Sequence, residues 1–276
     1  MTYVSLLLVG TTLDQVAEAM DPILVEPKDK RHARFDVLEE DIRKAYDTWE
    51  GRSNQPWNMG QTVPLRELYD NDFDKFVAAE FEGVEKNAEG LLGRWTNPNA
   101  RFSYYVIGGR NSGFFQLCKG GIGHLEKRFS RFDPLPDPNT ADSTTFRYWD
   151  RELQAKIQYD RAVERHRYFY SKLGDIKLPV SAEDWPKLFT KDSPLHGYEL
   201  TPLYTLTEKE YATQSAMRAN VTYAVLKDGV VYERQFDGRA GAPGECEEFY
   251  QWHRTFMGLM EGLDPSTPLV AVTAYL

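Results

Sequence analysis

The chain has 276 residues, 41% of them hydrophobic and 27% charged, a balance typical of a globular protein large enough to bury a core without disulfide or metal staples. Its net charge of −9 argues against general nucleic-acid binding and against adsorption to anionic membranes. Cys118 and Cys246 lie far apart and outside any CxxC pair, so they form no disulfide framework and point to reduced, buried thiols in a cytoplasmic protein.

Tyr3 to Val9 is a short apolar run, the pattern of a buried strand. It has no basic region before it and is far shorter than a membrane span, so neither a signal peptide nor a membrane anchor is expected. Thr12-Leu-Asp-Gln15 has the spacing of a capping box and predicts a helix to about Met20, ended by Pro22 and Pro27. Asp36 to Glu50 carries Val37, Leu38, Ile42, Ala45, Tyr46 and Trp49 at amphipathic spacing. A Gly/Asn/Pro-rich loop follows, and a second helix is predicted from Asp72 to about Lys86. Arg101 to Ile107 and Gly113 to Cys118 have the pattern of two strands joined as a hairpin across Gly108–Ser112.

After the Pro- and Asp-rich stretch Arg131 to Ser143, Phe146 to Leu173 contains neither Pro nor Gly and predicts one long helix, stopped by Gly174. Ser181 to Asp184 opens a short helix near Trp185. Tyr198 to Leu206 reads as a strand. Thr207-Glu-Lys-Glu210 is a second capping box, with a helix to about Arg218. Val221–Leu226 and Val230–Phe236 flank Lys227-Asp228-Gly229, a hairpin signal. A helix over Glu245–Gly262 and a strand over Leu269–Leu276 complete a β-α-β-β-α-β run, the ferredoxin-like order. The expected architecture is one compact α+β domain over residues 1–276. Its core is a ferredoxin-like antiparallel sheet, with mainly helical insertions at about 28–93 and 123–196.

Charge is unevenly spread. Between Arg94 and Arg131 seven bases face one acid, Glu126, a net +6 that leaves −15 on the rest of the chain. One reading is that these bases pair with acids elsewhere in the fold. The other is a focused positive site that attracts a small anion while the acidic body repels long polyanions. The loop Gly108-Gly109-Arg110-Asn111-Ser112-Gly113 suits the second. Glycines let successive amides converge on an anion, and arginine adds a planar fork that matches phosphate. Candidate ligand-binding residues are Arg94, Trp95, Asn97, Arg101, Tyr105, Gly108, Gly109, Arg110, Asn111 and Ser112, with Trp95 or Tyr105 stacking on a base. The loop is neither a GxGxxG fingerprint nor a P-loop, and a tight turn that needs glycine only for packing is the plain alternative. Gly120-Gly-Ile-Gly123 is a connector or a second wall. The bases of the long helix, among them Arg161, are mainly solvated, with a lesser possibility that they serve the site.

The five histidines show no metal-ligand spacing, and no GxSxG elbow occurs. No metal, cofactor or catalytic residue is therefore expected, and binding is favoured over catalysis.

Two stretches resemble a group of proteins encoded by tailed bacteriophages. Trp95-Thr-Asn-Pro-Asn-Ala-Arg-Phe-Ser-Tyr-Tyr-Val-Ile-Gly-Gly-Arg110 with Gly113 is similar to that group's N-P-x-A-K-W-D-W-Y-x-I-G-G-R-W-x-G block. Val221 to Asp237, followed by Trp252, Phe256, Leu259 and Leu263–Leu269, resembles its C-terminal hairpin, Trp-bearing helix and last strand. Asn111 stands where the group has Trp, and Thr273-Ala-Tyr-Leu276 where it has a polar Asp-Cys-His. The resemblance implies a phage context. In that context the expectation is a counter-defence protein that sequesters a small phosphorylated, nucleotide-like signal without catalysis, in the host cytoplasm. The alternatives are an inhibitor that meets a host defence protein through its acidic surface, and an enzyme that modifies the nucleotide. The long helix and the last strand also offer surfaces for a homo-oligomer.

Overall fold

The computed structural model describes residues 3–52, 59–126, 137–174, 176–181, 184, 195, 201–234 and 245–276. The chain divides into two compact units, 1–19 with 104–276 and 20–103. In chain order the first unit opens with β1 (Tyr3–Val9) and α1 (Val16–Met20). The Thr12 amide donates to Gln15 Oε1 at 3.1 Å, as the capping box requires.

The unit over 20–103 holds β2 (Arg34–Val37), α2 (Glu39–Thr48), β3 (Glu50–Arg52), β4 (Thr62–Pro64), α3 (Leu65–Leu68), α4 (Phe73–Glu80), β5 (Glu85–Lys86) and β6 (Leu92–Thr96). Its sheet order is β2-β6-β5, with β3 and β4 paired separately. Ile42, Ala45 and Tyr46 of α2 pack with Leu65, Phe76, Val77 and Leu92 into its own core. Both predicted helices are shorter than their apolar patterns. Asp36 and Val37 pair with β6 instead, and Trp49 at the end of the first pattern is 60% exposed. Glu85 and Lys86 likewise leave the second helix for a strand.

The chain returns to the first unit with β7 (Tyr104–Ile107), β8 (Phe115–Gln116), β9 (Gly123–His124), β10 (Thr140–Ala141) and β11 (Ser143–Thr145). Next come α5 (Arg151–Leu173), capped by Asp150, α6 (Thr201–Thr205), α7 (Glu208–Ala219), β12 (Ala224–Lys227), β13 (Val230–Glu233), α8 (Glu245–Met260) and β14 (Pro268–Tyr275). The short helix expected near Trp185 lies outside the described residues.

Three expectations change here. First, the strand expected over Tyr198–Leu206 is helical where described, at Thr201–Thr205. Its β-branched and aromatic residues suggest a strand, but Pro202 suits a first helical turn, and Leu203 packs with Phe169 of α5 and Tyr211 of α7. Second, β7 and β8 do not form a hairpin. β7 pairs with β14 and β8 with β10. Third, the sheet runs β13-β12-β1-β14-β11-β9, with β7 also on β14. β1 pairs β12 in parallel and β14 antiparallel. A ferredoxin-like split β-α-β unit keeps its two parallel strands apart, whereas β1 and β12 touch. The fold is a mixed α/β arrangement with several antiparallel pairings, and the all-antiparallel ferredoxin-like core is not what the strands form.

The β12–β13 hairpin follows its turn chemistry. Asp228 and Gly229 have φ of 53° and 75°, the left-handed pair that matches hairpin twist. On one sheet face Leu7, Val9, Val225, Leu269 and Ala271 pack under Trp252, Phe256 and Met260 of α8, four residues apart on one helix side. Trp252 Nε1 donates to Thr222 O at 2.7 Å, so the buried indole is satisfied.

Candidate functional site

β14 is long enough to serve two neighbours. Pro268–Val270 pair with β11, and Val272–Tyr275 pair with β7. Ala271 stands at the fork. Its N–H donates to Asp142 O at 2.8 Å and its carbonyl accepts from Gly108 N at 2.9 Å. The Gly108–Gly113 loop therefore leaves β7 beside the chain segment that carries Asp142.

The side chain of Asp142 is fully buried. Its Oδ1 accepts from Gly113 N at 2.5 Å, and its Oδ2 from Glu126 N at 2.8 Å and Ser112 Oγ at 3.2 Å. Gly108 has φ of 61°, and a Cβ there would sit 2.5 Å from Asp142 Oδ2. Glycine is needed for both the turn and the close approach. The buried Thr273 ties the other side of the loop. Its Oγ1 donates to Gly108 O at 2.7 Å and accepts from Asn111 Nδ2 at 2.9 Å and Asn111 N at 3.3 Å. The loop does hold an anion, the chain's own Asp142. Burial pushes the pKa of that carboxyl above 3.8, outweighing the Gly113 and Glu126 amides and the Ser112 hydroxyl that favour its charge. Of the Gly108, Gly109 and Asn111 amides expected to face a ligand, those of Gly108 and Asn111 are engaged by Ala271 O, Gly108 O and Thr273.

Arg110 points elsewhere. The register sets Tyr3 opposite Tyr275 and Tyr275 opposite Tyr104, so three rings form a row on one face. It is the face whose Leu7, Val9, Leu269 and Ala271 lie under α8. Tyr104 and Tyr275 stack with centroids 4.1 Å apart and planes at 10°, and Tyr3 lies 6.2 Å from Tyr275. Tyr275 is buried, while Tyr3 and Tyr104 are exposed. The guanidinium of Arg110 sits 4.6 Å from the Tyr3 ring centroid. A hydrogen bond to Tyr3, and a lesser one to Tyr275, push its pKa further up. Among the described residues no carboxylate forms an ion pair with it.

The remaining expected residues have other surroundings. Arg94, Trp95, Asn97 and Arg101 belong to the 20–103 unit, whereas Tyr105 and Gly108–Ser112 belong to the other. Asn97 is buried, and its Nδ2 donates to Pro22 O and Leu24 O, each at 2.8 Å. It fastens backbone and offers little to a ligand. Trp95 Nε1 donates to Glu85 at 2.6 Å, and Lys30 lies over the indole at 4.8 Å. Arg94 is exposed and pairs across the strands with Asp36. Arg101 is exposed, and its backbone N–H reaches Ile23 O. Tyr105 sits one residue out of phase with the tyrosine row.

Tyr104 was among the aromatics expected near the loop, whereas Tyr3 and Tyr275 were missed as neighbours of Arg110. Their signal was faint: a tyrosine at each outer end of the first and last apolar strands. His124 and Glu126, two residues apart and so on one side of an extended chain, meet at 3.5 Å at the surface. Cys118 is partly exposed, with its thiol 3.9 Å from Arg147 O. The side chain of Cys246 lies outside the described residues. Among the described residues no group of three His, Cys, Asp or Glu side chains is placed to hold a metal, and no helix is long and apolar enough to cross a membrane. Compared with known families, curated proteins and solved structures, the chain matches none, and its own geometry carries the functional reading.

Proposed function

We propose that this protein binds a small phosphorylated, nucleotide-like molecule on the surface formed by Arg110, Tyr3 and Tyr104, and holds it unchanged. The observation behind this reading is an exposed guanidinium with no carboxylate partner among the described residues, set beside a row of tyrosine rings. An arginine fork matches two phosphate oxygens, and exposed aromatic rings accept the face of a base. The pinned loop adds precision. With Asn111 and Gly108 held by Thr273, and Gly113 held by Asp142, the backbone under Arg110 is fixed before any ligand arrives, which lowers the ordering cost of binding. The net charge of −9 keeps long polyanions away while one exposed cation serves a small one. The phage resemblance of the 95–110 stretch adds a purpose, the sequestration of a nucleotide signal made by a host defence system.

Calorimetric titration with nucleoside monophosphates, cyclic mononucleotides and cyclic dinucleotides tests this. Arg110→Ala is expected to weaken the binding nucleotide by about 1.5–3 kcal/mol, roughly 10–150-fold, with an unchanged circular dichroism spectrum. Equal affinity in the variant removes Arg110 from the site.

A further inference from the structure

Residues three, four and seven apart share a helix face, so α5 turns Gln154, Ile157, Gln158 and Arg161 to one side. A helix that only packed would carry an apolar row there. Three of these four residues are polar, and they line a cleft of about 790 Å³ with Phe114, Gln116 and Asp137 among the other contributors.

The polar groups of this cleft fall into a fixed set and an unengaged set. Gln154 is buried. Its Oε1 accepts from Gln116 N at 2.9 Å and Trp149 Nε1 at 2.7 Å, and its Nε2 donates to Ala219 O at 2.6 Å. Gln116 Nε2 donates to Asn139 O at 3.1 Å, and Asp137 Oδ1 accepts from Asn139 N at 2.8 Å. The half-buried Phe114 ring is braced by Phe115 at 5.1 Å and by Trp149 at 5.8 Å. Among the described residues the side chains of Gln158 and Arg161 make no hydrogen bond or ion pair. A rigid frame thus presents one amide and one guanidinium with nothing to hold.

We propose that this cleft binds a polyhydroxylated ring, either a free sugar or the ribose of a nucleoside. A primary amide offers donors and an acceptor together, a guanidinium offers paired donors, and a carboxylate offers paired acceptors. Adjacent hydroxyls, each donor and acceptor, match such planar groups. The C–H face of the ring suits the braced Phe114. Asp137 disfavours a purely anionic occupant, and the polar α5 row disfavours an apolar one. The volume lies within the usual range for small-molecule sites, about 300–1,000 Å³.

The test uses the full chain and phosphate-free probes, so that it is independent of the Arg110 reading. One calorimetric arm titrates adenosine, guanosine, cytidine and uridine. The other titrates glucose, galactose, mannose and ribose. Saturable binding is expected in one arm, weakened roughly tenfold by Gln158→Ala and by Arg161→Ala, and unchanged by Arg110→Ala. Neither cleft side chain holds a partner, so both variants are expected to keep the wild-type circular dichroism spectrum. The proposal is overturned if neither arm binds, if both cleft variants bind as tightly as wild type, or if binding is lost with Arg110→Ala instead.

Discussion

Asp142 joins three donors from two chain segments, and this has two consequences that single substitutions can read. In Asp142→Asn, one edge of the carboxylate becomes an amide N–H₂ that must face Gly113 N–H or Glu126 N–H. An unpaired buried donor costs about 1–3 kcal/mol, to be read by urea denaturation. The second consequence is a pH dependence. Burial raises the folded-state pKa above the ordinary 3.8, so the folded chain keeps this proton where the unfolded chain has lost it. The contribution of Asp142 to stability is therefore greatest below 3.8 and declines as pH rises through the raised value. The advantage of wild type over Asp142→Asn should shrink in that direction, and an advantage that grows with pH would contradict the assignment. Gly108→Ala tests the close approach. At φ of 61° with the carboxylate 2.5 Å from the added Cβ, it should lose more than about 1 kcal/mol in the same assay. At this scale the sequence was half legible. Glycine spacing announced an anion-holding loop, but the anion lies 29 positions beyond Gly113, and only strand pairing brings it there.

Elements were legible where local signals agreed with tertiary demand. The capping box at Thr207 forms, with Thr207 N donating to Glu210 Oε2 at 2.9 Å, and the Asp228-Gly229 turn has the backbone its residue types favour. Pairing partners were not legible. Neighbouring strands β7 and β8 are read most simply as a hairpin, yet Gly108, Gly109 and Gly113, all at positive φ, turn the chain away and leave each strand with a distant partner. That long-range register makes the tyrosine row. Tyr104 lies on the row and Tyr105 does not, although the two are adjacent in the chain. On the proposed function, Tyr104→Ala should weaken nucleotide binding by about 1–3 kcal/mol, the usual worth of one base–aromatic stack, while Tyr104→Phe should retain it. Calorimetry of both variants checks this, and equal loss in the two would assign the effect to the hydroxyl.

At the scale of the whole molecule, the 20–103 unit has its own sheet and its own core of Ile42, Phe76, Val77 and Leu92. Expressed alone, residues 20–103 should unfold cooperatively in urea, and a gradual, featureless transition would show that this core does not suffice. No linker-like composition marks the boundaries of the two units. Arg94 and Arg101 then fell within one basic window with Arg110, although charge counted along the chain does not report which compact unit each residue joins.

The central claim is that Arg110 holds a phosphorylated molecule. Its most direct test is to incubate purified wild type and Arg110→Ala with extracts of phage-challenged bacteria, wash and denature both, and identify the released small molecules by mass spectrometry. The account predicts an unchanged phosphorylated compound from wild type and little or none from the variant. Equal recovery from both proteins, or no phosphorylated compound from either, would contradict it.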